Sequence, residues 1–186
     1  ALVERLLSQN KKLVFKDSTG NCGTSVRVRS TQELSADTLC DWMVSEGHDI
    51  VEEYVQQHEA LAKLSPSGVN TVRVFTLLDT RGNCSLLGCR LRISVDSEVD
   101  NLAAGNLAAP IDETTGIICG PGVYSDMTKQ PESIHPVTGV PIVGFEIPYW
   151  SETIDLVKKA SLSHTDNRSI GWDVVITADG PGLIEG

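Results

Sequence analysis

The sequence predicts an α+β fold of two lobes, each an antiparallel β-sheet with helices, and three observations carry that expectation. Residues 171–186, GWDVVITADGPGLIEG, alternate Trp172, Val174 and Ile176 with Asp173, Val175 and Thr177, pass through turn residues at 178–182 and then resume an extended pattern, which is a hairpin signal. Residues 71–78 and 86–93, joined by Asp79-Thr80-Arg81-Gly82-Asn83, read as a second hairpin. Apolar residues at helical spacing, among them Leu2, Val3, Leu6 and Leu7 near the start and Ile154, Leu156, Val157 and Ala160 near the end, supply helices around these strands. The division falls near Val55–Gln57 and gives lobes of residues 1–55 and 56–186.

In chain order, the opening helix ends at Asn10, and Lys12-Leu13-Val14-Phe15-Lys16 reads as a strand. It runs into the small-residue stretch 17–25, DSTGNCGTS, and leaves through the alternating Val26-Arg27-Val28-Arg29. Strand, small loop, strand suits an anion cradle, with backbone N–H groups around a phosphate and Lys16 supplying charge; a plain hairpin loop is the alternative. Ser35 is placed to cap a helix carrying Leu39, Trp42, Met43 and Val44 and ending at Gly47. Asp49 to Val55 reads as a strand ending in acids, and residues 56–64 as a helix closed by Ser65-Pro66-Ser67-Gly68. On the 71–78 strand Arg73 shares a face with Phe75 and Leu77, so it either meets an anion among core residues or lies on a wet sheet face, and Arg90 and Arg92 carry the same ambiguity.

Residues 100–110, DNLAAGNLAAP, form a small polar segment suited to running close to a ligand or to a surface connection. Thr114-Thr115-Gly116 reads as a hairpin tip, residues 120–148 as a Pro- and Gly-rich stretch with two short strands at most, and His135 as a turn residue. Ser151 is the expected cap of the last helix.

The closing hairpin decides where two acids go. A two-residue Asp179-Gly180 turn would place Pro181, which has no N–H, at a turn-closing position; a three-residue loop pairs Thr177 with Pro181 and hence Asp173 with Glu185. Like charges opposite one another across strands are destabilising unless something positive intervenes, which points to a divalent cation, Mg²⁺ by the hardness of carboxylate oxygens. Two solvated acids are the alternative.

A chain of 186 residues with 40 % hydrophobic content has enough apolar material for a real core. Its formal charge of −10 argues against binding a nucleic-acid polymer, yet leaves room for a nucleotide, which needs only a few local cations. Five scattered cysteines with no CxxC fit reduced thiols in a cytoplasmic protein, and no run is long enough for membrane insertion.

The succession of a strand lysine with a small-residue loop, a strand ending Glu-Glu-Tyr-Val, a strand arginine, an Asn-rich segment and hairpin acids twelve residues apart resembles the ATP-grasp superfamily. The wording of VNTVRVFTLLD, DNLAAGNLAAPID and GWDVVITADGPGLIEG is most similar to the sugar-transfer-associated branch, related to glutamate-ligase-like enzymes. The resemblance implies ATP in a cleft between two α+β lobes, Lys16 on the α and β phosphates, and backbone around Gly20 and Gly23 closing over them. It further implies Glu52 or Glu53 on the adenine amino group, Tyr54 and Val55 against the base, Gln57 or His58 toward the ribose, Arg73 and Arg92 on the transferring phosphate, Asn101 near the phosphoacceptor, and Asp173 and Glu185 on Mg²⁺.

The implied activity is ATP- and Mg²⁺-dependent ligation through an acylphosphate, joining a small-molecule carboxylate to an amine or similar nucleophile, with polysaccharide-biosynthesis proteins as partners. The chain reads as a fragment lacking the superfamily's N-terminal domain and the residues after Gly186. Two other readings stay open: a non-catalytic nucleotide-binding module, favoured by Asp17 following Lys16 where the family's loop has proline, and a carbohydrate-binding domain in which the acids and Trp150 or Trp172 contact sugar.

Overall fold

The computed structural model describes residues 2–9, 11–19, 26–163 and 165–186, and the chain divides into two compact units, Ala1–Val55 and Gln56–Gly186.

The first unit orders α1 (Leu2–Gln9), β1 (Lys12–Lys16), β2 (Arg27–Ser30), α2 (Leu39–Glu46) and β3 (Ile50–Glu53), with an antiparallel sheet in the order β2-β1-β3. Period-two alternation in β1 sends Leu13 and Phe15 into a core with Leu39, where Val3, Leu6, Leu7, Trp42, Met43 and Val51 pack against them. Lys12, Val14 and Lys16 therefore line the other sheet face. Ser35 caps a local turn, its hydroxyl accepting from Asp37 N–H, and α2 begins only after Thr38; the helix stops at Gly47, whose φ of 73° places it in the left-handed region.

The second unit holds α3 (Glu59–Leu64), β4 (Thr71–Leu78), β5 (Cys84–Ile93), β6 (Leu107–Ile111), α4 (Trp150–Ser163), β7 (Ser169–Thr177) and β8 (Gly180–Glu185). Its five-stranded sheet runs β6-β5-β4-β7-β8, antiparallel throughout. One face carries Val72, Val74, Leu91, Ile93, Leu107, Ala109, Trp172, Val174 and Ile176 into the main core, which includes Val157 of α4. Burying these side chains is the chief stabilising term, at roughly 1.5–3 kcal/mol for each large aliphatic. Arg73, Phe75 and Leu77 lie on the face opposite the main core; Arg73 is half-buried there and does meet an anion, Asp173, while Leu77 is exposed.

Residues 107–111 are a correction to the reading of 100–110 as a small polar connection. They form strand β6, with Leu107, Ala108, Ala109 and Ile111 buried and Pro110 exposed. Alanine and proline carry little strand preference, and the strand exists because Leu107 and Ile111 have core to fill. Pro110 pairs with Arg90 in the last strand of the sheet, where a missing N–H is tolerated.

The connection from residue 56 to β4 is tied down by amides: Asn70 Nδ2 donates to Gln57 Oε1 and to the carbonyls of Ser65 and Gly68, while Asn70 Oδ1 accepts from Ser94 N–H. His135 is indeed a turn residue. Its Nδ1 accepts from the N–H groups of Val137 and Thr138, which leaves Nε2 protonated to donate to Ser94 carbonyl at 2.9 Å.

Candidate functional site

The closing hairpin pairs Asp173 with Glu185, as the alternation requires, but by a different route from the expected three-residue loop. Thr177 pairs with Gly180 across a two-residue Ala178-Asp179 loop, Ile176 pairs with Pro181, and a bulge between Asp173 and Val174 absorbs one residue and restores the Asp173–Glu185 register. Gly180 takes a φ of 121°, so the turn closes on the residue without a side chain and Pro181 is not the closing residue.

Asp173 also pairs with Arg73 across β4 and β7, and Arg73 pairs with Arg90 across β4 and β5. Arg92 stands two residues from Arg90 and so on the same face. From the β8 edge inward that face reads Glu185, Asp173, Arg73, then Arg90 and Arg92: acid at one side, base at the other. Asp173 is only 3 % exposed and both its oxygens are engaged. Arg73 Nε donates to Oδ1; Arg73 Nη2 donates to Oδ2 at 2.7 Å and Arg92 Nη1 to the same oxygen at 2.6 Å. Arg92 reaches on to Asp100 at 2.9 Å, and the Asp100 carboxylate accepts from the N–H and hydroxyl of Thr71. Burial raises the Asp100 pKa above the ordinary aspartate value, against the pull of Arg92 and Thr71. Glu185 lies at the exposed end, 3.9 Å from Arg73; burial and the neighbouring Asp173 raise its pKa.

The positive charge that the paired acids demand is thus supplied by Arg73 and Arg92, and the repulsion argument alone does not require a metal. Among the described residues no cluster of three or more His, Cys, Asp or Glu is placed to hold a metal. Two carboxylates from adjacent strands are nonetheless the donor set Mg²⁺ ordinarily takes, since it completes its shell with phosphate oxygens and waters. The pair fits a cation that arrives with a phosphate ligand.

Arg73, Arg90, Arg92, Asn101, Leu102 and Ala108 line a depression of about 180 Å³ on this face. Asn101 opens a short 3-10 turn, its Oδ1 accepting from Ala103 N–H. The sequence singled out Arg73, Arg92, Asn101, Asp173 and Glu185, and the second unit gathers them on one face. Asp100, which holds Arg92 from behind, was missed as a site residue. Its only signal was its place beside Asn101 in DNLAAGN.

In the first unit Lys16 forms an ion pair with Glu52 at 2.5 Å, both on the face away from that unit's core. Glu53 and Tyr54 are exposed, and Lys12 stands over the Tyr54 ring at 5.2 Å. Ser18 donates its N–H and hydroxyl to the Asp49 carboxylate, which these bonds hold below the ordinary aspartate pKa. That pins the start of the small-residue loop; Gly20 and Gly23 lie outside the described residues. Val55 is half-buried at the end of this unit.

Gln57 has its amide committed to Ser65, Gly68 and Asn70, so it serves the backbone of its own unit. His58 caps α3 through Nδ1, with its ring edge-on to Tyr149. Trp172 is buried, its Nε1–H shared between Thr76 and Ser161 hydroxyls, which removes it from the sugar-contact reading. Trp150 donates to Glu113 carbonyl.

Two antiparallel sheets with helices make an α+β architecture that fits an ATP-grasp-like fold. The chain belongs to the sugar-transfer associated ATP-grasp family, whose model matches residues 15–186. No curated protein matches it. Membership of an ATP-grasp family carries ATP binding.

Proposed function

We propose that this chain carries the nucleotide- and metal-binding residues of an ATP- and Mg²⁺-dependent carboxylate ligase acting in polysaccharide or cell-envelope biosynthesis. The observation that carries the reading is the Asp173–Glu185 pair beside Arg73 and Arg92 on one sheet face. When bound, Mg·ATP supplies the γ-phosphoryl group that activates a carboxylate as an acylphosphate for attack by an amine or similar nucleophile. Asp173 and Glu185 would hold the Mg²⁺. Arg73 and Arg92, held on this face by Asp173 and Asp100, would meet the charge that develops on the phosphate by exchanging Asp173 for it. Asn101, with Oδ1 occupied by Ala103, offers its NH₂ to the phosphoacceptor. In the first unit we assign Lys16 to the phosphates, where it must exchange Glu52 for them, and Glu52 or Glu53 with Tyr54 and Val55 to the base. His58 Nε2 is assigned to the ribose.

A binding-only role is the second reading, and the full engagement of both Asp173 oxygens by arginine favours it. The two separate in one assay: ADP and phosphate release with mixed small carboxylates, with hydroxylamine present to trap an acylphosphate as hydroxamate. Carboxylate-dependent ADP and hydroxamate formation is expected of a ligase. Mg·ATP binding without either product contradicts catalysis and leaves the binding-only role.

A further inference from the structure

Ion pairing along the open face of the five-stranded sheet does not reach Arg90. Asp173 accepts from Arg73 and Arg92, Asp100 holds Arg92 a second time, and Glu185 stands near Arg73. Arg90 has no hydrogen bond or ion pair with a carboxylate among the described residues, yet the register sets it directly opposite Arg73 and two residues from Arg92. Like charges so placed oppose folding. Burial and these two neighbours lower the Arg90 pKa below the ordinary arginine value, and it stays cationic.

What holds the side chain is the Phe75 ring, 5.2 Å from its guanidinium carbon, with Arg73 at 5.9 Å from the same ring. The ring offers no hydrogen-bond acceptor in the guanidinium plane, so all of the donors of Arg90 remain available to an anion. Arg90 lines the 180 Å³ depression with Asn101, whose NH₂ has no protein acceptor among the described residues. The depression suits a small anionic head group.

We propose that Arg90 is a specificity residue that holds a second anionic group on the acceptor, so that acceptors bearing two anionic groups are preferred to monocarboxylates of the same length. The inference rests on the carboxylate-acceptor reading of this face and adds to it the charge class of the acceptor. The division of labour is physical: Arg73 and Arg92 are paired with protein acids and serve a group whose charge changes during reaction, whereas Arg90 has no carboxylate bonded to it among the described residues and serves one whose charge does not.

Succinate and butyrate, four-carbon acids with two carboxylates and one, are the probes. Titrated into the ¹⁵N-labelled full chain and followed on arginine Nε–Hε signals, succinate should bind about tenfold more tightly than butyrate, the worth of one charge-assisted hydrogen-bonded contact. Arg90→Gln should bring the two acids within about twofold of each other, Arg90→Lys should retain part of the preference, and Arg81→Gln, at an exposed hairpin tip, should leave it intact. Equal binding of the two acids by the wild type, or a preference that survives Arg90→Gln, overturns the proposal. Mg·ATP titrated separately against the wild type tests the parent reading: no nucleotide binding there sinks the ligase, while a succinate preference lost in Arg90→Gln would still establish the anion site.

Discussion

Both carboxylate oxygens of Asp173 are bound by guanidinium groups, in a side chain that water barely reaches. Removing that charge leaves Arg92 with Asp100 alone and Arg73 with only the more distant Glu185, and breaking one side of such a buried pair ordinarily costs more than the pair itself contributes. Asp173→Asn should destabilise the chain by about 3 kcal/mol in urea unfolding; an unchanged midpoint would mean that the arginines find other anions or water. Asp100 gives a pH signature. Because burial raises its folded pKa above the ordinary 3.8, the folded form keeps its proton to higher pH than the unfolded chain. The contribution of its titration is therefore greatest below that ordinary value and declines as pH rises through the folded pKa. The stability of the wild type minus that of Asp100→Asn should fall as pH rises from about 4 toward about 7. A difference that grows with pH over that range would contradict the assignment.

Among the elements, the hairpins were the most legible in the sequence, because alternation and turn residues are local signals. Asp173 and Glu185 were placed opposite each other correctly even though the loop has two residues, not three: a bulge near Asp173 made up the missing step, and bulges leave no mark in a residue pattern. Strand β6 was not legible, since Leu-Ala-Ala-Pro-Ile acquires strand structure only through the core it fills and the β5 strand it pairs with. The start of α2 was placed too early, because Ser35 has the right side chain for a cap but spends it on a tight turn. At the 112–118 tip the sequence reading was right and its reason incomplete. Gly116 has φ of 74°, and a Cβ there would also lie 2.4 Å from Trp150 Cγ. Gly116→Ala combines left-handed strain with overpacking and should cost about 2–4 kcal/mol by urea unfolding. A cost under about 0.5 kcal/mol would show that Trp150 moves aside freely.

For the molecule as a whole, a formal charge of −10 coexists with a local cluster of three arginines set among Asp100, Asp173 and Glu185 on one sheet face. Among the described residues no helix is long and apolar enough to cross a membrane. The network that fixes the arginines was not legible in the sequence, because Arg73, Arg92, Asp100 and Asp173 are brought together only by the order of strands in the sheet. Since arginine already occupies Asp173, Mg²⁺ alone should bind weakly and Mg²⁺ with ATP well: Arg73 and Arg92 would need another anion, such as a phosphate, before Asp173 and Glu185 could hold the metal. Thermal unfolding with Mg·ATP, comparing the wild type with Glu185→Gln, whose altered side chain is largely exposed and leaves the Asp173 ion pairs in place, tests this most directly. At a nucleotide concentration about 100 times Kd the wild type should gain about 2.7 kcal/mol, Mg²⁺ alone should give almost nothing, and Glu185→Gln should lose most of the gain. An equal gain in both proteins, or a gain that survives EDTA, would contradict the assignment of the hairpin acids to a nucleotide-bound metal.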